Sequence, residues 1–168
     1  MKLIYPCEKY LKSYQEAYEE QQKYCPNEGG FCPPHLILET AINYREGINM
    51  RPGLVKRSIM WLIDDEEFIG FSDIRHELDD VLLHRGGHIG YAIRYTKRHQ
   101  GYGNKILELS LDYIKNNLDY NKVLLTCDDD KIESYKIIEK FGGILQDKIE
   151  NDINGKKIIT RRYWISLI

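Results

Sequence analysis

Paired cysteines, long apolar runs and an excess of one charge sign are all missing from this 168-residue chain. Its four cysteines, Cys7, Cys25, Cys32 and Cys127, form no Cys-x-x-Cys pair, and a domain of this length builds its core without a disulfide framework. Reduced thiols are therefore expected. Cys25, Cys32 and His35 match no common zinc spacing and lack a fourth ligand, so no metal is expected. No apolar stretch approaches the ~20 residues of a membrane span, and Met1-Lys2-Leu3-Ile4-Tyr5-Pro6 is too brief for a signal-peptide core. The expectation is a cytoplasmic protein without a membrane partner. A net charge of −2 and a pI near 6.2 argue against a nucleic-acid partner. Repeats and low-complexity tracts are absent as well, and the length fits one domain spanning residues 1–168.

What is present centres on Tyr91-Ala92-Ile93-Arg94-Tyr95-Thr96-Lys97-Arg98-His99-Gln100-Gly101-Tyr102-Gly103-Asn104-Lys105. Ile89, Tyr91 and Ile93 alternate as in a strand, whereas Ile106, Leu107, Ser110, Leu111, Ile114 and Leu118 recur at helical steps. The period changes from two to 3.6 at the two glycines. Glycine lets a backbone turn sharply and approach a ligand, and the first turn of a helix offers N–H groups that no helix carbonyl uses. That geometry suits a phosphate or pyrophosphate. The segment lacks the Gly-Lys-Ser/Thr ending of a P-loop, and Ile106 stands where a dinucleotide fingerprint needs a third small residue.

The remaining segments follow from periodicity and turn chemistry. Leu3 to Tyr5 reads as a short strand. Helices are expected over Glu8–Lys23, with Tyr10, Leu11, Tyr14, Ala17 and Tyr18 on one side, and over Pro34–Ile48. Ser58–Ile63 and Phe68–Ile74 form a hairpin about the solvated turn Asp64-Asp65-Glu66-Glu67. Lys122–Cys127 is a strand, with Cys127 a small buried thiol. A helix then starts at a capping box of Asp130 and Glu133 and stops at Gly142-Gly143. Ile144–Glu150 and Lys156–Leu167 flank Asn154-Gly155, a strong hairpin signal.

Arg98-x-x-Gly101-x-Gly103 resembles the Arg/Gln-x-x-Gly-x-Gly/Ala pyrophosphate motif of the GNAT superfamily of acyl-CoA-dependent N-acyltransferases, and the order of elements is that of its fold. Ile74 to Leu78, Gly87 to Tyr91 and Arg161 to Ile165 are also similar to a bacterial branch of predicted acetyltransferases. The resemblance is weakest in the first fifty residues. It implies a single α/β domain with a mixed, mostly antiparallel central sheet flanked by helices, whose central strands splay around the pantetheine arm of acetyl-CoA. On it, Ile93 offers strand backbone to that arm, and Arg98, His99, Gln100, Gly101, Tyr102, Gly103 and Asn104 surround the pyrophosphate. A homodimer is common in the family.

The family's Asn-x-x-Ala/Ser-x-x-Leu-Tyr pattern falls on Lys131, Ser134, Ile137 and Ile138. Only Ser134 fits; the cofactor-binding Asn and the Tyr that protonates the departing thiolate are replaced. Tyr135, one helical turn before Ile138, is a substitute acid, as is Ser134, though either also has a purely structural use in packing or backbone bonding. Lys131 either reaches phosphate oxygens or bonds Asp128 or Asp129 on the surface. Amine attack on a thioester requires a neutral amine, donors for the oxyanion and a protonated leaving group. His88, His76 and Glu77 are the candidate bases, with His88 ahead because it enters the strand beside the cleft. Arg161 and Arg162 serve either a substrate carboxylate or a protected sheet edge. The expected activity is acetyl transfer from acetyl-CoA to a primary amine of a small molecule or protein. The alternatives are an acyl-CoA-binding regulatory module without turnover and a nucleotide-binding protein built on the same glycine turn.

Overall fold

The computed structural model describes Met1 to Ile168. In chain order its elements are β1 (Lys2–Ile4), a 3-10 turn at Glu8–Tyr10, α1 (Leu11–Tyr24), α2 (Ile37–Glu46), β2 (Arg57–Asp64), β3 (Glu67–Arg75), α3 (Asp80–His84) and β4 (Ile89–Ile93). A second 3-10 turn at Tyr95–Lys97 precedes α4 (Tyr102–Asn117), β5 (Lys122–Asp128), α5 (Ile132–Lys140), β6 (Ile144–Ile153) and β7 (Lys156–Ser166). Strands β1-β2-β3-β4 form one antiparallel sheet and β5-β7-β6 another. Both hairpins turn through two consecutive left-handed residues, Asp65 and Glu66 in one and Asn154 and Gly155 in the other. Such pairs match the twist of the strands they join.

Strand alternation sets the layers. On β2, Trp61 and Ile63 join Phe68 and Phe71 beneath Tyr14, Ala17 and Ile37 of α1 and α2. Tyr14 stacks on Trp61 with ring centroids 4.7 Å apart, so the tyrosine stripe of α1 is core. Met60 and Leu62 face the other way, toward Ile106 and Leu107 of α4. Ile138 of α5 packs with Leu125, Tyr163 and Ile165 on that same side.

The two sheets meet at a single bridge between Gly87 and Leu125. Gly87 has φ +63°, and a Cβ there would stand 2.4 Å from the Leu124 carbonyl oxygen, so only glycine fits. Beyond this bridge β4 and β5 part, giving the splayed strands expected.

Three local expectations change. Helix α2 begins at Ile37 rather than Pro34, because the Pro33 carbonyl accepts from both Leu36 and Ile37 and keeps the segment in a turn. Helix α3 was not anticipated: at five residues it shows no periodicity, and it rests on the Asp79 side chain capping the Leu82 amide at 2.8 Å. The Asp130–Glu133 capping box does not form. Lys131 is the N-cap without a side-chain bond, and Glu133 instead meets His99 Nδ1 at 3.2 Å across the cleft.

Candidate active site

The turn after β4 is held by Arg94, whose buried guanidinium bonds Glu20 of α1 at 2.6 Å. His99 and Gly101 then adopt left-handed φ of +61° and +86°, which reverses the chain into α4. The amides of His99 to Asn104 make no hydrogen bond within the chain. The two glycines act differently. A Cβ on Gly101 would meet open space, so its backbone angle is what requires glycine, whereas a Cβ on Gly103 would lie 3.0 Å from Ile137 Cδ1. Gly103 thus lets α4 and α5 approach closely at the mouth of the gap.

His99 and Gly101 to Asn104 border a cleft of about 840 Å³. Ile93, Arg98, His99, Gly101, Tyr102, Gly103, Asn104, Lys131 and Ser134 all line it. Gln100 does not; its side chain donates to the Thr96 carbonyl at 3.0 Å. Arg98 is itself anchored, to Glu28 at 2.7 Å and to the Ile93 carbonyl at 3.3 Å. Lys131 forms no ion pair. Asp128 is held by Arg85, and Asp129 by Arg161 and Lys148, which removes the surface partners that the sequence offered Lys131. Lys97, Arg98, Lys131 and Lys136 outnumber Glu28 and Glu133 on the lining, leaving the cleft with the sign that suits a polyphosphate.

A second cavity, of about 270 Å³, continues from this cleft and shares Tyr91, Lys131 and Ser134 with it. Its other walls come from Ile89 and Gly90 of β4, Leu125 to Asp128 of β5, Ile138, Arg75, Arg85 and Gly86. At the junction Tyr91 Oη is buried and without a hydrogen-bond partner. Burial pushes this phenol up to about 12, opposed by the nearby Ser134 hydroxyl. Asn104 Oδ1 is also buried and unpartnered. A strand tyrosine that alternates with its neighbours gives no sequence signal for such a role.

Residues 8–144 match the sequence model of the acetyltransferase (GNAT) domain. The chain belongs to the GNAT acetyltransferase family. No curated protein sequence matches it. Among solved structures, the ribosomal L7/L12 alpha-N-protein acetyltransferase RimL, determined with coenzyme A, is 12% identical with a TM-score of 0.70, covering 98% of this chain and 92% of that one. A Vibrio cholerae spermidine N-acetyltransferase is 16% identical with a TM-score of 0.68, at 99% and 95% coverage. The Salmonella typhimurium protein yncA, solved with its cofactor acetyl-CoA, is 9% identical with a TM-score of 0.67, at 99% and 94%. At these identities the likeness is one of fold.

Within this GNAT fold the catalytic candidates drawn from sequence do not come together. Tyr135 lines neither cavity; it packs against the core and lies beneath the Arg161 guanidinium, 3.8 Å from its ring. Ser134, by contrast, lines both. His88 is 3% exposed. Its Nδ1 accepts from the Leu124 amide at 2.9 Å, and its own amide donates to the Leu124 carbonyl at 2.7 Å, leaving the ring proton on Nε2. Burial depresses its pKa to about 4. His88 is a clasp between the sheets, not a wall of the cleft. His76 is bound through Nε2 to Ser58 at 2.8 Å and is pushed below its usual value by burial. Glu77 is exposed and, like His76, outside both cavities.

The other titratable groups are committed locally. Arg161 pairs with Asp129 and Arg162 with Asp147. Cys127 does line the smaller cavity, but burial pushes its thiol up to about 11, a poor nucleophile near neutrality. Cys25 accepts from Arg98, and Cys32 faces Thr40. No helix is long and apolar enough to cross a membrane.

Proposed function

We propose that the chain transfers an acetyl group from acetyl-CoA to a primary amine of a small molecule or protein, by direct attack in a ternary complex. The observation that carries this reading is the row of unpartnered amides from His99 to Asn104, opening on a cleft that runs into the gap between β4 and β5. Fixed N–H groups at a helix start bind an anion without reorganising, so these amides take the pyrophosphate. Lys131 adds a point charge to the phosphates. Backbone groups of Ile93 at the parted edge of β4 bond the pantetheine arm and bring the thioester to Tyr91.

The amine nitrogen attacks the thioester carbonyl carbon, the C–N bond forms, the C–S bond breaks, and the ammonium proton passes to water. Tyr91 and Ser134 supply the hydroxyls that stabilise and protonate the departing thiolate, in place of the usual tyrosine at Ile138. The similar structures act by name on spermidine and on a protein N-terminus, so both kinds of amine belong in the test. That test measures free CoA released from acetyl-CoA across an amine panel, beside calorimetric binding of acetyl-CoA. Amine-dependent release is expected. Binding without such release would leave an acyl-CoA-binding regulatory module, and absence of binding would overturn the reading.

A further inference from the structure

The smaller cavity is lined by Tyr91, Ser134 and Ile138 and also by Arg75 and Gly90. Ile89, Tyr91 and Ile93 of β4 point toward α4 and α5, so Gly90 between them faces the α1 and α2 side. A Cβ on Gly90 would stand 3.1 Å from Arg75 Nη2, and its absence gives the Arg75 guanidinium room to lie against the strand. This guanidinium is fixed in place. Its Nη1 donates to the carbonyls of Gly86 at 2.9 Å and Gly87 at 3.3 Å, and Nη2 is 2.8 Å from Asp73 Oδ2. Its Nε is buried with no partner. The side chain is 14% exposed, and it lines the cavity.

The charges around it do not balance. Asp73 Oδ2 also meets Arg57 Nη1 at 3.1 Å, so one carboxylate serves two guanidiniums. The one acid that lines the cavity, Asp128, is already bound by both Arg85 Nε and Nη2. One positive charge is therefore left over in a largely buried setting, where an uncompensated ion is costly. Arginine's planar fork matches a carboxylate better than any other side chain does. The cavity, at about 270 Å³, lies below the ~300 Å³ lower end of pockets for drug-sized ligands.

We infer that Arg75 anchors a carboxylate of the acceptor, so that the substrate is a small molecule carrying both a primary amine and a carboxylate, of the amino-acid class. The inference rests on the acyltransferase reading. The carboxylate completes the charge of the Arg57–Asp73–Arg75 group and aims the neighbouring amine through the gap at the thioester beside Tyr91. The product is the N-acetylated amino acid and free CoA; the carboxylate itself is unchanged.

The experiment follows CoA release with L-amino acids and ω-amino acids, each beside its amide and its decarboxylated amine. Wild-type protein should favour the carboxylate member of at least one pair by about 30-fold or more in kcat/KM, the scale of one buried charge-assisted contact. Arg75→Gln should erase that preference, and Arg75→Lys should restore part of it, while acetyl-CoA binds all three proteins alike by calorimetry. If Arg75→Gln fails to fold, the matched pairs in wild-type protein decide alone. Acetyl-CoA binding with no pair favouring the carboxylate, or a preference that survives in folded Arg75→Gln, overturns the inference and leaves the cofactor reading standing. Loss of acetyl-CoA binding in the wild type would instead strike the acyltransferase reading.

Discussion

The gap between β4 and β5 has a closed end and an open end, and their polar groups behave in opposite ways. At the closed end the backbone is clasped: His88 exchanges two hydrogen bonds with Leu124, and the Gly86 amide donates to Thr126 Oγ1 at 2.8 Å. At the open end the amides of His99 to Asn104, Tyr91 Oη and Asn104 Oδ1 have no partner in the chain. Satisfied buried groups hold a structure together, whereas N–H groups left open at a helix start are free to meet a ligand. Both ends contain glycines, histidines and strand residues, so composition alone does not separate clasp from cradle.

The largest effect expected concerns the closed end. The pKa of His88 falls from an ordinary 6.5 to about 4 on folding. As pH drops below 6.5 the unfolded chain takes up a proton that the folded chain refuses. The stability contributed by neutral His88 is therefore fully present above pH 6.5 and is lost as pH falls toward 4, by about 3 kcal/mol. His88→Asn keeps an acceptor for the Leu124 amide and should flatten this part of the pH–stability curve in denaturant titrations. An unchanged acid slope in that variant would return His88 to the list of exposed, titrating groups.

At the open end, Gly103→Val should weaken acetyl-CoA binding on the order of 100-fold, because added carbons at the Ile137 contact push α4 and α5 apart. Calorimetry on protein whose circular dichroism matches the parent checks this. Parent-like affinity would move the phosphate site elsewhere.

Tyr91→Phe sharpens the contrast from inside the gap. It should lower kcat about 10-fold with little change in acetyl-CoA affinity, the mark of an interaction made in the transition state. Tyr135→Phe should leave turnover near the parent value. If the two results were exchanged, the acid would belong to α5 after all.

The smallest change is expected from Lys131→Gln. Removing one exposed cation should narrow the preference for CoA over dephospho-CoA about threefold and reduce its dependence on salt. Equal loss of affinity for phosphate-free pantetheine thioesters would point to a displaced helix instead.

The open end was largely legible in the sequence and the closed end was not, for a physical reason. The switch from two-residue to 3.6-residue periodicity at Gly101 and Gly103 is a local pattern, as are the Asp65-Glu66 and Asn154-Gly155 turns. The partner that decides the role of His88 lies 36 residues away in sequence, and no spacing reveals which atom a histidine faces. Tyr91 followed the strand alternation, and nothing in the sequence set it apart from its neighbours. The capping box at Asp130 and Glu133 had the right letters, yet Glu133 found His99 across the cleft. Helix α3 was too short for any period to register.

The most direct measurement is the change in backbone amide NMR shifts as unlabelled acetyl-CoA is titrated into isotopically labelled protein. The account predicts the largest changes at His99 to Asn104, with the amides of Gly87, His88 and Leu124 nearly still. Saturable binding that moves the closed end while His99 to Asn104 stay fixed would contradict it.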